Sequence, residues 1–146
     1  MKNLVIRKIV PEDADGIGRI EGAITKSPAK CDFRQIARYQ VQEKEGISFV
    51  GEIDGKIVGY MISYVVYGMF GLEKSAWIAT MGVNPKFMGQ GIGKRLAEKI
   101  FLVYKEKGIK HIFTSARWDS VDLLSFFKTL GFDRSNFINL TKELDR

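Results

Sequence analysis

Alternating glycines in the middle of the chain lead directly into a helical pattern. The glycines are Gly89, Gly91 and Gly93. The apolar residues that follow recur with the spacing of a helix that buries one face: Ile92, Leu96, Ile100 and Val103. Residues 85–97 contain neither Asp nor Glu, and no Ser, Thr, Asp or Asn stands at the N-cap position. The pattern therefore predicts a helix N-terminus whose main-chain N–H groups bind an anion from outside the chain, most naturally a phosphate group.

Basic side chains flank the same glycines. Lys94 and Arg95 lie in the predicted first turn, where the helix dipole disfavours each cation by about 0.3–1 kcal/mol. The other helix starts carry acidic residues instead, for example Asp32. Lys86 lies just before the glycines, so cations flank the predicted anion site on both sides, although each alone is also typical of a solvated surface.

Length and composition limit the class of protein. A chain of 146 residues with 45% apolar and 27% charged residues is typical of one soluble globular domain, which we assign to residues 1–146. The longest uncharged stretch, residues 57–72, is shorter than the ~20 residues of a membrane helix. The first residues lack the apolar core of a signal peptide, so we expect a cytoplasmic protein. With one cysteine, Cys31, and one histidine, His111, we expect neither an internal disulfide nor a metal site.

Strand and helix patterns follow one another in the order β-α-α-β-β-β-α-β-α-β. The predicted strands cover residues 4–9, 47–53, 56–67, 76–83, 109–116 and 132–140. The first predicted helix begins at Glu12, and the other three cover residues 33–44, 91–107 and 120–130. An antiparallel meander followed by a strand–helix–strand crossover implies an α+β fold with a mixed, mostly antiparallel sheet and helices on both faces. Ligands of such sheets gather at the carboxyl ends of strands, and the glycines follow the strand that ends at Val83.

Two common phosphate-binding motifs do not fit these glycines. A Walker A loop requires a second glycine followed by Lys and then Ser or Thr, but Lys94 is followed by Arg95. A dinucleotide fingerprint follows the first strand and has an acidic residue ~20 residues further on. The only acid near that distance, Glu106, falls within the same predicted helix. Both motifs are therefore disfavoured.

A third pattern matches nearly the whole chain. Residues 81–85, Met-Gly-Val-Asn-Pro, lead into residues 88–93, Met-Gly-Gln-Gly-Ile-Gly. Downstream, residues 120–127 read Ser-Val-Asp-Leu-Leu-Ser-Phe-Phe and precede Gly131-Phe132. In these segments and in element order the chain resembles the GNAT superfamily of acetyl-coenzyme A-dependent N-acetyltransferases. The resemblance implies a GNAT-like fold with the β-α-β crossover at the cofactor site.

The resemblance also implies a cosubstrate and a set of binding residues. Acetyl-CoA would donate its acetyl group directly to a primary amine of a protein N-terminus, a lysine or a small molecule, in a ternary complex without a metal. Main-chain groups before and within the glycine segment would hold the pantetheine arm and the diphosphate. The cofactor-binding residues implied are Met81, Gly82, Val83, Met88, Gly89, Gln90, Gly91, Ile92, Gly93, Lys94 and Ser120.

Four positions depart from the family pattern. Met88 replaces the usual Gln or Arg, and Ser120 replaces an Asn. Ala79 stands where the family often has a base glutamate, and Phe127 where a tyrosine often protonates the thiolate. The catalytic residues are therefore left unassigned. The carboxylates considered for the base are Glu21, Glu52, Glu73 and Asp119, although Asp119 is also typical of a helix cap. The tyrosines considered for the acid are Tyr39, Tyr64 and Tyr67, and His111 is a further candidate. Trp118 would line the acceptor cleft or fill the core.

Other classes of function remain open at this stage. Ala79 and Phe127 suit a non-catalytic module that binds or senses acyl-CoA. The net charge of +6 suits a basic RNA- or ribosome-associated protein, but the chain has no long Lys/Arg run, which disfavours nucleic acid. The apolar segment around residues 67–70 suits a homodimer interface.

Overall fold

The structure, a computed structural model, describes residues 3–27, 31–42 and 47–145. The chain divides into two units, of which the first ends at Thr114 and the second begins at Ser115. The strands are β1 (Leu4–Lys8), β2 (Phe49–Ile53), β3 (Lys56–Tyr67), β4 (Lys74–Val83) and β5 (Ile112–Thr114). The helices are α1 (Ala14–Thr25), α2 (Phe33–Gln42), α3 (Ile92–Glu106) and α4 (Val121–Thr129). The last two residues predicted for α2 lie outside the described residues.

The first unit is built around a five-stranded sheet in the order β1-β2-β3-β4-β5. Neighbouring strands are antiparallel except β4 and β5, which are parallel and are joined through α3. Asp54 and Gly55 both adopt positive φ, of 51° and 78°, in the turn between β2 and β3. This is the backbone of a tight hairpin turn, as the sequence predicts. The mixed, mostly antiparallel sheet confirms the predicted fold class.

Helices cover both faces of this sheet. Gly59 of β3 lies under α3, since a Cβ atom there would be 2.8 Å from Cγ2 of Ile92. Tyr60 is the next residue along the strand, so it faces the opposite side. It belongs to a core cluster that includes Ile17 of α1 and Ala37 of α2. The α1–α2 face and the α3 face are therefore on opposite sides of β3.

A buried hydroxyl pair ties α3 to the sheet. The Tyr104 hydroxyl lies 2.6 Å from Oγ of Ser63 and accepts a 3.0 Å hydrogen bond from the N–H of Ile47. Tyr104 and Ser63 are fully buried. Burial raises the pKa of the Tyr104 phenol, because the interior disfavours the phenolate.

An ion-pair cluster holds the first strands to the turn before α1. The Arg7 guanidinium contacts both Asp13 oxygens, at 2.8 and 2.9 Å, and Oε1 of Glu52 at 2.6 Å. These two carboxylates raise the pKa of Arg7 above its ordinary value, with the Asp13 hydrogen bonds as the largest cause. The Asp13 carboxylate is nearly inaccessible to solvent and depends on this partner.

The second unit contains α4 and a long segment without regular structure. The predicted strand over residues 132–140 is absent, and this prediction is wrong. Ile138 and Leu140, which alternation would bury, are 85% and 86% exposed. The backbone here makes a local hydrogen bond instead, in which the N–H of Phe137 donates to Oγ of Ser135 at 3.2 Å. Such side-chain bonds compete with strand pairing.

Candidate cofactor and acetyl-transfer site

The segment after β4 is a tight turn with its own hydrogen bonds. Asn84 accepts the N–H of Lys86 on its side-chain oxygen at 2.9 Å and the N–H of Phe87 on its carbonyl at 2.8 Å. Residues Pro85–Phe87 form one turn of 3₁₀ helix. The N–H of Met88 then donates weakly to Pro85 at 3.4 Å. The N–H groups of residues 86–88 are therefore hydrogen-bonded within the turn, and the glycine segment follows directly.

Gly89 and Gly91 adopt a left-handed backbone, each with a φ of 81°. A non-glycine residue pays about 1–2 kcal/mol in this region. A Cβ atom at either position would meet nothing within 4 Å, so the backbone conformation and not crowding calls for glycine here. Gly91 is the N-cap of α3, and no side chain caps the helix.

The main-chain donors of residues 89–94 have no acceptor within the part of the chain that the structure describes. The first hydrogen bond of α3 runs from the N–H of Arg95 to the carbonyl of Gly91, at 3.0 Å. Residues 88–91 are exposed, and the first turn of α3 carries no acidic residue. Consecutive free donors at the positive end of a helix are typical of sites that bind phosphate and other anions.

The second half of β4 has an open edge next to these glycines. Strand β5 pairs only with residues Ala76 to Ile78, and the Thr114 hydroxyl closes this short ladder by donating to the carbonyl of Ile78 at 2.9 Å. Among the described residues, no strand pairs with residues 79–83 on that side. The carboxyl end of β4 is therefore available to an extended ligand.

Alternation along β4 shows which peptide groups face the open edge. The N–H of Asn84 donates to the carbonyl of Val58 in β3 at 2.8 Å. Antiparallel pairs alternate, so Gly82 turns its N–H and C=O towards β3, whereas Met81 and Val83 turn theirs to the open side. Ala79 is skipped in the register between β3 and β4, and this bulge accompanies the end of pairing with β5.

The α1 face of the same strand carries hydroxyl groups that the sequence pattern did not single out. A Cβ atom on Gly82 would lie 2.8 Å from Cε1 of Tyr60 and 3.0 Å from Cδ1 of Ile24. Burial raises the pKa of the Tyr60 phenol, a hydrogen bond with Thr80 opposes the rise, and the charge of Glu21 adds to it. Tyr60 and Thr80 meet only through the pairing of β3 with β4, and no local sequence signal brings them together.

The other carboxylates considered from the sequence lie in structural roles or outside this region. Glu52 is bound by Arg7. Glu73 is an exposed residue just before β4. Asp119 accepts two hydrogen bonds from Arg117, at 2.9 Å each, which lowers its pKa. The helix cap proposed for Asp119 is wrong, because Ser120 holds the N-cap position of α4.

The aromatic and imidazole side chains considered from the sequence pack elsewhere or remain exposed. Tyr39 and Tyr64 contact each other with ring centroids 5.8 Å apart. His111 is exposed and stacks on Phe113. Trp118 is 88% exposed and does not fill a core. Two further residues are accessible: Tyr67, under the ammonium of Lys74, and Cys31.

Two predicted positions belong to the second unit. Ser120 makes no side-chain capping bond, and its N–H donates to Arg117 at 2.9 Å. Phe127 is buried and packs edge-on against Phe132 with ring centroids 5.2 Å apart. Phe127 therefore acts as a core residue of its unit, which explains an apolar side chain there.

Within residues 3–27, 31–42 and 47–145, His, Cys, Asp and Glu side chains form no group of three that would suit a metal ion. The helices in those ranges are too short or too polar to cross a bilayer.

The chain also matches the sequence pattern of a known family. The profile of the Acetyltransferase (GNAT) family matches residues 19–132, which is most of the chain. The chain belongs to this family of enzymes, which confirms the resemblance seen in its glycine segment.

Named relatives share about a quarter of the sequence. A mycothiol acetyltransferase of Amycolatopsis mediterranei is 26% identical over 143 residues, covering 88% of this chain. This chain spans only 46% of that relative's length. N-alpha-acetyltransferase 30 of Schizosaccharomyces pombe is 26% identical over 126 residues, covering 86% of this chain and 83% of the relative.

Solved structures confirm the fold. An aminoglycoside acetyltransferase, meta-AAC0020, from an uncultured soil metagenomic sample, solved with sisomicin, superposes with a TM-score of 0.81 at 22% identity. The match covers 98% of this chain and 97% of that one. The aminoglycoside N-acetyltransferase AAC(6')-Iy, solved in complex with CoA, also gives a TM-score of 0.81, at 14% identity, covering 96% of this chain and 94% of that one.

Proposed function

We propose that the chain transfers an acetyl group from acetyl-CoA directly to a primary amine. The observation that carries the proposal is the run of unpaired main-chain donors at residues 89–94, at an uncapped helix N-terminus whose preceding loop, residues 88–91, is exposed. The proposal treats residues 1–146 as one N-acetyltransferase domain. The family match supports this, because it extends across the boundary at Thr114 into the second unit.

The diphosphate of coenzyme A is the ligand that suits the glycine loop. Its negative oxygens would accept from the N–H groups of residues 89–94, with the α3 dipole adding to the attraction. The exposed cations Lys86, Lys94 and Arg95 flank this loop in the sequence and would meet the ribose phosphate. A solved relative of the same fold contains CoA, which supports the cosubstrate.

The open edge of β4 suits the pantetheine arm. Its amides would pair with the outward-facing peptide groups of Met81 and Val83, as an added strand does. One of these N–H groups would then donate to the carbonyl oxygen of the thioester and stabilise the negative charge that forms there. The main chain of β4 would therefore hold the acetyl group and polarise it.

Transfer requires a neutral amine near the polarised carbonyl. Amine attack forms the C–N bond, and the C–S bond breaks as the electron pair leaves with sulfur. Much of the rate would come from holding the two reactants together. Because Phe127 cannot donate a proton, the mechanism proposed here does not use this position as an acid.

The acceptor is proposed only as a primary amine. The names of its relatives suggest several acceptor classes, because they include a mycothiol acetyltransferase, an N-alpha-acetyltransferase and an aminoglycoside acetyltransferase. The panel of acceptors to be tested therefore contains peptides with free α-amines, lysine, polyamines and aminoglycosides.

Two measurements test the proposal. Calorimetry with acetyl-CoA should show binding, and its absence at millimolar concentration would remove the cosubstrate. Thiol release should then appear with at least one amine of the panel. Binding without release from any amine would favour the acyl-CoA sensor that Ala79 and Phe127 suggest. Binding of RNA that weakens steeply with salt, without coenzyme binding, would favour the RNA-associated alternative.

A further inference from the structure

The open edge of β4 is approached by different elements from its two faces. Helix α3 lies on the face to which Gly59 belongs, and α1 lies on the face of Gly82. If the coenzyme is bound as proposed above, its diphosphate is held at the N-terminus of α3. The acetyl group then reaches the β4 edge from the α3 side, and the α1 side remains for the acceptor amine.

Helix α1 presents an acidic residue on this side. Glu21 follows the fully buried Ile17 by four residues and precedes Ile24 by three, so the three share one helix face. Cδ1 of Ile24 is 3.0 Å from a Cβ atom built on Gly82. Glu21 itself is half-buried and lies one turn before this contact.

Two hydroxyl side chains connect this helix face with β4. The Tyr60 ring lies against Gly82, with Cε1 2.8 Å from the built Cβ atom. Tyr60 is hydrogen-bonded with Thr80, which precedes Met81 of the open edge. The charge of Glu21 contributes to raising the pKa of the Tyr60 phenol, a smaller effect than burial, so the carboxylate lies within electrostatic range of the phenol.

We propose that Glu21 is the catalytic base of the acetyl transfer. It supplies from α1 the carboxylate that the chain lacks on β4, where Ala79 stands. This inference rests on the proposed function, because it requires acetyl-CoA at the β4 edge.

The proposed transfer moves two protons from the acceptor nitrogen. The Glu21 carboxylate accepts a proton from the acceptor ammonium and leaves a neutral amine. The nitrogen lone pair attacks the thioester carbonyl carbon, and the C–S electron pair leaves with sulfur. The second nitrogen proton passes to the thiolate, giving an amide and free coenzyme A. Glu21 then returns its proton to solvent.

The kinetic test compares conservative variants at this position. Glu21→Gln removes the base but keeps size, and we expect kcat to fall by about 100-fold. The KM for acetyl-CoA should stay within about twofold of the native value, because Glu21 does not touch the diphosphate site. Glu21→Asp should recover part of kcat. Glu98→Gln, at an exposed position on α3, is the matched control and should retain native kinetics.

A second measurement tests the placement of Glu21 without turnover. In protein with ¹³C-labelled tyrosine rings, Glu21→Gln should move the Tyr60 resonance, assigned with Tyr60→Phe, and leave that of Tyr104 in place. An unmoved Tyr60 resonance would overturn the placement, and a native kcat in Glu21→Gln would overturn the base. A native protein that binds acetyl-CoA but acetylates no amine would also overturn it. Loss of coenzyme binding in the native protein would instead refute the proposed function, which calorimetry detects separately.

Discussion

Replacing Gly91 with glutamate perturbs the glycine loop where its donors are exposed. A side chain at this position enters open space, since no atom lies within 4 Å of a built Cβ atom. The fold should therefore survive. The left-handed φ of 81° still destabilises the variant, by about 1–2 kcal/mol.

The expected loss of affinity follows from the added charge. A carboxylate about 5 Å from the diphosphate costs about 0.8 kcal/mol for each of two negative charges in a medium like water, or about 1.7 kcal/mol in all. Because about 1.4 kcal/mol is a factor of ten in affinity, the Kd for acetyl-CoA should rise at least tenfold. A lower local dielectric constant would make the loss larger.

Gly91→Gln is the matched control, because it has the same size and the same backbone strain without the charge. Calorimetry should show that the glutamine variant binds acetyl-CoA more tightly than the glutamate variant, and the gap should shrink as salt screens the charges. Equal affinities of both variants at low salt would refute an anion at this loop.

Three further substitutions test the packing that positions the site. Gly59→Ala should lower the free energy of unfolding by about 1–3 kcal/mol, because its Cβ would be 2.8 Å from Cγ2 of Ile92; an unchanged urea midpoint would contradict this packing. Arg7→Met should lower the free energy of unfolding by about 1–3 kcal/mol, because it removes the charged partner of the buried Asp13 carboxylate. An unchanged urea midpoint would argue against the cluster. Tyr104→Phe should cost about 1–3 kcal/mol by leaving the N–H of Ile47 unpaired. Burial raises the pKa of the Tyr104 phenol, so its contribution is complete below about pH 10 and is lost above it, where the unfolded chain ionises first. Stability of Tyr104→Phe should therefore fall less steeply than that of the native protein in alkaline thermal scans, and parallel curves would contradict the assignment.

Local sequence signals predicted the elements that position the cofactor site. The Asp54-Gly55 turn and the long alternating pattern after it predicted β3 with its observed bounds. The glycines and the periodic apolar residues after them placed the start of α3 within one residue of Ile92. These features depend on backbone preference and on burial of one face, which neighbouring residues encode.

Features that depend on distant pairing were not predictable in this way. The bulge at Ala79 and the contact between Tyr60 and Thr80 follow from how β3 and β4 align. Sequence reasoning also placed a strand over residues 132–140, where alternation is weak and Ser135 binds its own neighbouring backbone. The sequence did not distinguish Glu21 from the other candidate carboxylates, and only the packing of Ile24 against Gly82 places its helix face beside β4.

Amide NMR during a titration with coenzyme A tests the central claim most directly. We propose that the N–H groups of residues 89–94 are free in the unliganded protein and donate hydrogen bonds to the diphosphate when it binds. The account predicts that the amide resonances of Gly89 and Gly91 move early and saturate together with the calorimetric binding curve, while those of the Asp54-Gly55 turn stay in place. Saturable binding that leaves the amides of residues 89–94 unmoved would contradict it.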